Sequence, residues 1–128
     1  MVKVKGGKNP TLRIVCNGEV IGNYQWRLEG NGVHIEVNGN NLEDHFSDVN
    51  ASPHDDAYPL PKFSPNKMAL LEIDVKVDRF TANDAYELVV TIEQNDEDAI
   101  KLAELSSEQD EATGLVQLAT ITEVLWYV

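Results

Sequence analysis

An all-β fold, an antiparallel β-sandwich, is what this sequence predicts. Three observations carry the expectation: apolar and polar residues alternate with period two in several short runs, turn residues separate those runs, and little of the chain repeats apolar residues at helical spacing. The count is about seven or eight strands, arranged in an immunoglobulin-like or jelly-roll-like manner. A partly closed β-barrel is the alternative architecture. No Cys-Trp-Cys framework marks a true immunoglobulin domain. With 128 residues the chain forms one domain, residues 1–128, large enough to bury a core without disulfides or metal.

The elements follow in order. Leu12, Ile14 and Cys16 share one face of the first clear run. Asn17-Gly18 comes directly after it, and both residues tolerate the positive φ that a type I′ hairpin turn requires. The next run places Val20, Gly22, Tyr24, Trp26 and Leu28 on one face, which makes Trp26 a core residue. Gly30-Asn31-Gly32 turns the chain into Val33–Val37, apolar at every odd position, and Asn38-Gly39-Asn40 ends it. Residues 11–38 therefore read as a three-stranded antiparallel meander.

Residues 40–67 hold four of the five prolines and show no sustained periodicity. They read as a long connection, either a crossover between sheets or a functional loop. Residues 68–128 supply the acidic strands. Leu71, Ile73, Val75 and Val77 alternate with Glu72, Asp74, Lys76 and Asp78, and Tyr86, Leu88, Val90 and Ile92 alternate with Glu87, Val89, Thr91 and Glu93. Residues 99–105 favour a strand over a helix too short to hold itself together, and 106–114 form a polar loop. In the last run Val116, Leu118, Val124, Trp126 and Val128 share a parity that Thr120 and Thr122 interrupt. A bulge, or a strand passing from one sheet to the other, would accommodate that break. Trp126 and Tyr127 must point to opposite faces.

Charge narrows the function. The chain has 22 acids and 10 bases, a net of −12, so free nucleic acid is repelled and no nucleic-acid partner is expected. No apolar run reaches the roughly 18 residues of a membrane span, and no apolar segment follows the basic N-terminus as a secretory signal would. Together with the single cysteine, Cys16, this gives the expectation of a cytoplasmic, reducing location. The charge is unevenly placed: residues 1–40 carry a net of +2 and residues 41–128 a net of −14.

Catalytic motifs are absent: there is no Gly-x-Ser-x-Gly elbow, Walker A loop, His-Glu-x-x-His or Cys-x-x-Cys. Cys16 reads as a small buried hydrophobe, and His34 as a solvent-facing strand residue rather than a base. The leading expectation is a non-catalytic, intracellular protein-binding module that docks an acidic face on a basic protein surface, as an inhibitor, immunity or accessory protein would. Its contact residues would be Asp74, Asp78, Glu87, Glu93, Asp96, Glu97 and Asp98, with the loop bearing Tyr58 and Phe63. No cofactor is required by this reading.

Two further readings stand beside it. His45, Asp48, His54, Asp55 and Asp56 concentrate imidazole and carboxylate in one segment, a donor set for Ca²⁺ or a transition-metal ion in a cation-assisted carbohydrate- or ligand-binding module. Alternatively the chain is a structural subunit of a symmetric assembly, a viral or phage particle or another homo-oligomer. Strand edges and Leu125-Trp126-Tyr127-Val128 would then meet other copies.

Overall fold

The structure, a computed structural model, describes residues 1–18, 20–39, 54–79, 85–106 and 116–128. Nine strands lie among them: β1 (Val2–Val4), β2 (Thr11–Gly18), β3 (Val20–Gly30), β4 (Val33–Asn38), β5 (His54–Pro59), β6 (Lys67–Arg79), β7 (Tyr86–Glu93), β8 (Ile100–Ser106) and β9 (Val116–Tyr127). They build two sheets. The first has the order β1-β9-β6-β3-β4 and the second β5-β2-β7-β8. Every pairing is antiparallel except β1 with β9. The sheets do not close into a barrel, so the fold is the β-sandwich that the alternation predicts.

The core is the set of inward-facing residues of both sheets. From the first come Tyr24, Trp26 and Leu28 on β3, Leu71, Ile73, Val75 and Val77 on β6, and Leu125 and Tyr127 on β9. From the second come Leu12, Ile14 and Cys16 on β2, Tyr86, Leu88, Val90 and Ile92 on β7, and Leu105 on β8. Each large aliphatic or aromatic side chain removed from water in this way contributes about 1.5–3 kcal/mol against the entropy of ordering the chain.

The three-stranded meander expected over 11–38 is not what forms. Only β3 and β4 make a hairpin, with Trp26 opposite Val37 and Leu28 opposite Ile35. β2 belongs to the other sheet, between β5 and β7. Asn17 and Gly18 are its last residues, paired with Glu87 and Tyr86, and do not turn a hairpin. The chain changes sheet at β1–β2, β2–β3, β4–β5, β5–β6, β6–β7 and β8–β9, and two of these crossings, after Gly18 and between β6 and β7, join the central strands. β3 pairs with β6 while β2 pairs with β7, so the two crossings interlock the layers.

Three other expectations change. Within the long connection, residues 54–59 form β5, an edge strand along β2. Its alternation was hidden because Asp56 sits at an inward position and Pro59 closes the strand, which an edge tolerates. β9 has no bulge and no change of sheet: it pairs with β6 in one unbroken register from Lys67 opposite Tyr127 to Asp78 opposite Val116. Its inward residues are Ala119, Ile121, Leu125 and Tyr127, and Leu118 projects outward with 72% of its surface exposed. A bulge does occur, between β7 and β8 at Val90/Thr91. The strand expected over 99–105 is β8; the loop expected over 106–114 lies outside the described residues beyond Ser106.

One end of the sandwich is closed by local contacts. Leu60 is buried, and its N–H donates to the Pro10 carbonyl at 2.8 Å. Phe63 packs edge-on against Tyr127 at 5.0 Å, and the Tyr127 hydroxyl donates to the Pro61 carbonyl at 2.9 Å. The Gln94 side chain joins the N-terminal segment to the other sheet, accepting from Lys5 N–H at 2.7 Å and donating to the Lys5 carbonyl at 3.0 Å.

Gly18 makes the first crossing possible. Its φ is 118°, and a Cβ there would meet the Ala85 carbonyl oxygen at 2.3 Å. Gly32, in the β3–β4 turn, has a φ of 79° but open space around it. Gly18→Ala is expected to cost more than about 2 kcal/mol, and Gly32→Ala about 1 kcal/mol, since only the first adds a backbone clash to left-handed strain. Urea unfolding of the two variants measures the difference, and equal losses would contradict this account of the crossing.

Candidate functional site

The strand registers decide which connections share an end. In the first sheet Val20 lies opposite Arg79, and Asp78 opposite Val116. In the second, Gly18 lies opposite Tyr86, Cys16 opposite His54, and Glu87 opposite Ser106. The β2–β3, β6–β7 and β8–β9 connections therefore leave from and return to one end of the sandwich. The β4–β5 connection belongs there too, because β4 runs antiparallel to β3 toward this end and β5 starts at it.

Charge divides along the same line. Residues 19, 40–53, 80–84 and 107–115 carry eight acids (Glu19, Glu43, Asp44, Asp48, Asp84, Glu108, Asp110 and Glu111) and no Lys or Arg. The described residues carry the other 14 acids and all 10 bases, a net of −4. Two thirds of the excess negative charge thus belongs to connections rooted at one end. At the opposite end, residues 5–10, 60–66 and 94–99 balance Lys5, Lys8 and Lys62 against Asp96, Glu97 and Asp98. Among the described residues, Asp55, Asp78, Glu87 and Glu104 lie near the acidic connections, and Asp55 is already paired with Arg13. Glu87 and Glu104 border a cleft of about 340 Å³ with Asn17, Tyr86 and Ser106.

The seven acids expected to form one face are distributed over three places. Asp74 and Asp78 project from the outer face of the first sheet, and Glu87 and Glu93 from the outer face of the second. Asp96, Glu97 and Asp98 lie in the β7–β8 turn at the closed end. Several are already paired. Glu93 and Asp55 hold Arg13 between them, at 3.1 and 2.8 Å, and raise its guanidinium pKa further. Glu97 pairs with Lys5 at 2.5 Å, and that hydrogen bond and charge hold its carboxyl below the ordinary range. Asp74 accepts from the Thr120 hydroxyl at 2.8 Å. Tyr58 and Phe63 turn inward: Tyr58 meets Trp26 edge-on at 5.4 Å, and Phe63 covers Tyr127.

The expected metal donors are not gathered either. His45 and Asp48 lie outside the described residues, as does the side chain of His54. Asp55 and Asp56 open on opposite sides of β5. Asp55 faces outward to Arg13, whereas Asp56 faces inward and accepts from the Tyr24 hydroxyl. Burial first, then the bonds to Asp56 and Tyr58, push the Tyr24 pKa far above its ordinary value. Among the described residues no three His, Cys, Asp or Glu side chains converge. The C-terminal residues expected to meet other copies are largely internal: Leu125 and Tyr127 are buried, and Trp126 lies under Lys3 at 5.2 Å.

Cys16 and His34 occupy different sheets, Cys16 on the inner face and His34 exposed on the outer face beside Glu36 at 3.1 Å. The fold and this end together define a class: an antiparallel β-sandwich presenting acidic connections at one end. Compared with models of known families, with curated proteins and with solved structures, the chain matches none. Among the described residues no helix is long and apolar enough to cross a membrane.

Burial pushes the Cys16 thiol up to about 11 from its ordinary 9.0, and the Tyr127 hydroxyl up to about 12 from 10.0. Both groups hold their protons more tightly when folded. Their contribution to stability is therefore full below pH 9 and falls as pH rises from about 9 toward about 12, where the unfolded chain has already released these protons. Urea unfolding at pH 8 and pH 10.5 should show a loss for the native protein. Cys16→Ala should flatten part of that decline, by about 2 kcal/mol. A slope unchanged by the substitution would contradict the assignment.

Proposed function

We propose that the protein is a non-catalytic binding module that docks its acidic end on a basic protein surface. One observation supports the reading: four connections rooted at the same end of the sandwich carry eight acids and no Lys or Arg. The reading keeps the basic partner expected from the sequence and relocates the contact. Three of the strand-face acids are already paired, Glu93 and Asp74 across strands with Arg13 and Thr120 and Asp78 along β6 with Lys76, whereas the excess negative charge belongs to the connections at the end.

The chemistry follows from the charge. Like charges gathered at one end steer a cationic surface into encounter, and the rate falls as salt screens them. At physiological ionic strength the Debye length is about 8 Å, so only charges grouped within one region act together. An acid on each outer face would act separately. Asp78, Glu87 and Glu104 border the same end and extend the contact onto the framework.

Capture of a host partner at low and high salt tests this reading with three forms of the protein: the native chain, a variant with Glu108, Asp110 and Glu111 changed to amides, and Asp74→Asn/Glu93→Gln. Retention should fall with salt, fall about tenfold or more in the first variant, and stay unchanged in the second. Full retention by the first variant, or retention indifferent to salt, would overturn the proposal.

A further inference from the structure

A groove of about 600 Å³ opens on the outer face of the first sheet, in the half nearer the acidic end, with Gly39, the first residue of the β4–β5 connection, in its lining. The register lays its side chains out in two rows across the strands. In one row Asn38 on β4 lies opposite Gln25 on β3, Gln25 opposite Asp74 on β6, and Asp74 opposite Thr120 on β9. In the next, Asn23 lies opposite Lys76, and Lys76 opposite Leu118. Outward positions two residues apart on each strand bring the rows side by side.

The composition of these rows selects a ligand class. Three side-chain amides each offer two donors and an acceptor, the Thr120 hydroxyl offers both, Asp74 only accepts and Lys76 only donates. Asp74, which lines the groove, accepts from Thr120 at 2.8 Å and from Gln25 at 3.4 Å, and its carboxylate keeps further acceptor capacity. An anionic ligand would meet the central carboxylate. A metal ion would find one carboxylate where several oxygens of that kind are needed. A peptide lacks an apolar pocket to anchor in, because Leu118 is the one large apolar side chain the rows contribute. A neutral polyhydroxyl compound fits: each hydroxyl donates and accepts, and Leu118, with 72% of its surface exposed, can lie against carbon-bound hydrogens.

From these rows we infer that the groove binds a neutral oligosaccharide. Four strands at about 4.8 Å spacing make the polar row roughly 14 Å long, enough for several sugar units rather than one. Asp74 is the central acceptor, Gln25 and Asn38 extend the row on one side and Thr120 on the other. None of the eight acids of the connections enters this assignment, which does not rest on the proposed protein partner.

The test is a titration followed by ¹⁵N NMR, with cellotetraose, maltotetraose, mannotetraose and xylotetraose as probes and tetragalacturonate as the acidic counterpart. At least one neutral probe should shift the side-chain amides of Asn23, Gln25 and Asn38, while tetragalacturonate does not. Asp74→Ala should weaken that binding about tenfold or more. The isosteric Asp74→Asn, which keeps the fold but loses the charge, should weaken it less. Glu93→Gln on the other sheet, and the amide variant of Glu108, Asp110 and Glu111, should leave it unchanged. No shift with any neutral probe at about 10 mM, or binding indifferent to both Asp74 variants, would overturn the inference.

Discussion

Two strand pairs, β2–β3 and β6–β7, are each continuous in sequence yet divided between sheets, and the rest of the structure depends on that arrangement. Because β3 pairs with β6 and β2 with β7, neither sheet can form its centre without the other. Leu12, Ile14, Leu71, Ile73, Leu88 and Val90, all fully buried, come from three of these four strands. The interlock requires close backbone approach where the chain changes sheets, and a residue without a Cβ at Gly18 supplies it. It also places the β2–β3 and β6–β7 crossings at the same end.

That constraint sorts the charges. On a sheet face each side chain stands beside its cross-strand neighbours, and like charges placed opposite one another are destabilising. The outer faces accordingly alternate in sign. Arg27 lies opposite both Glu36 and Glu72, and Arg13 reaches Asp55 and Glu93. A framework built this way cannot hold a large net charge. The connections between strands face no such pairing requirement, and the acidic excess belongs to those rooted at the end where β2 passes to β3 and β6 to β7. The opposite end is held by the Lys5–Gln94 amide clamp and by Phe63, Leu60 and Tyr127.

Much of this was legible from residue order, and the failures have physical causes. The alternation of Leu71–Val77 and Tyr86–Ile92 revealed β6 and β7, because strands with one face in the core must alternate. Asn17-Gly18 misled because the flexibility that suits a hairpin turn also suits a change of sheet, and a dipeptide does not say which strand comes alongside. β5 was obscured by Asp56, a carboxylate at an inward position that Tyr24 satisfies. β9 was misread because Gln117 points inward and Leu118 outward, reversing the usual preference at two adjacent positions. The acids themselves were visible, but their grouping was not. Which connections share an end is a property of long-range pairing, and pairing leaves no local signature.

The acidic end and the amide rows obey opposite physical rules. Net charge gathered at an end gives a field that is long in range, weak in direction and sensitive to salt. The groove works through fixed donors and acceptors with nearly cancelling charge, Lys76 standing beside Asp74, so its selectivity depends on the strand register holding each tip in place. Register is strongest where one face is buried, and the strands beneath the rows carry Tyr24, Trp26, Ile73 and Val75 on their inner faces. The array therefore lies over a buried part of the core, while the unbalanced charge belongs to the connections rooted at one end. The two surfaces adjoin but differ in origin: one is set by the interlock that gathers the connections, the other by the core that the interlock encloses.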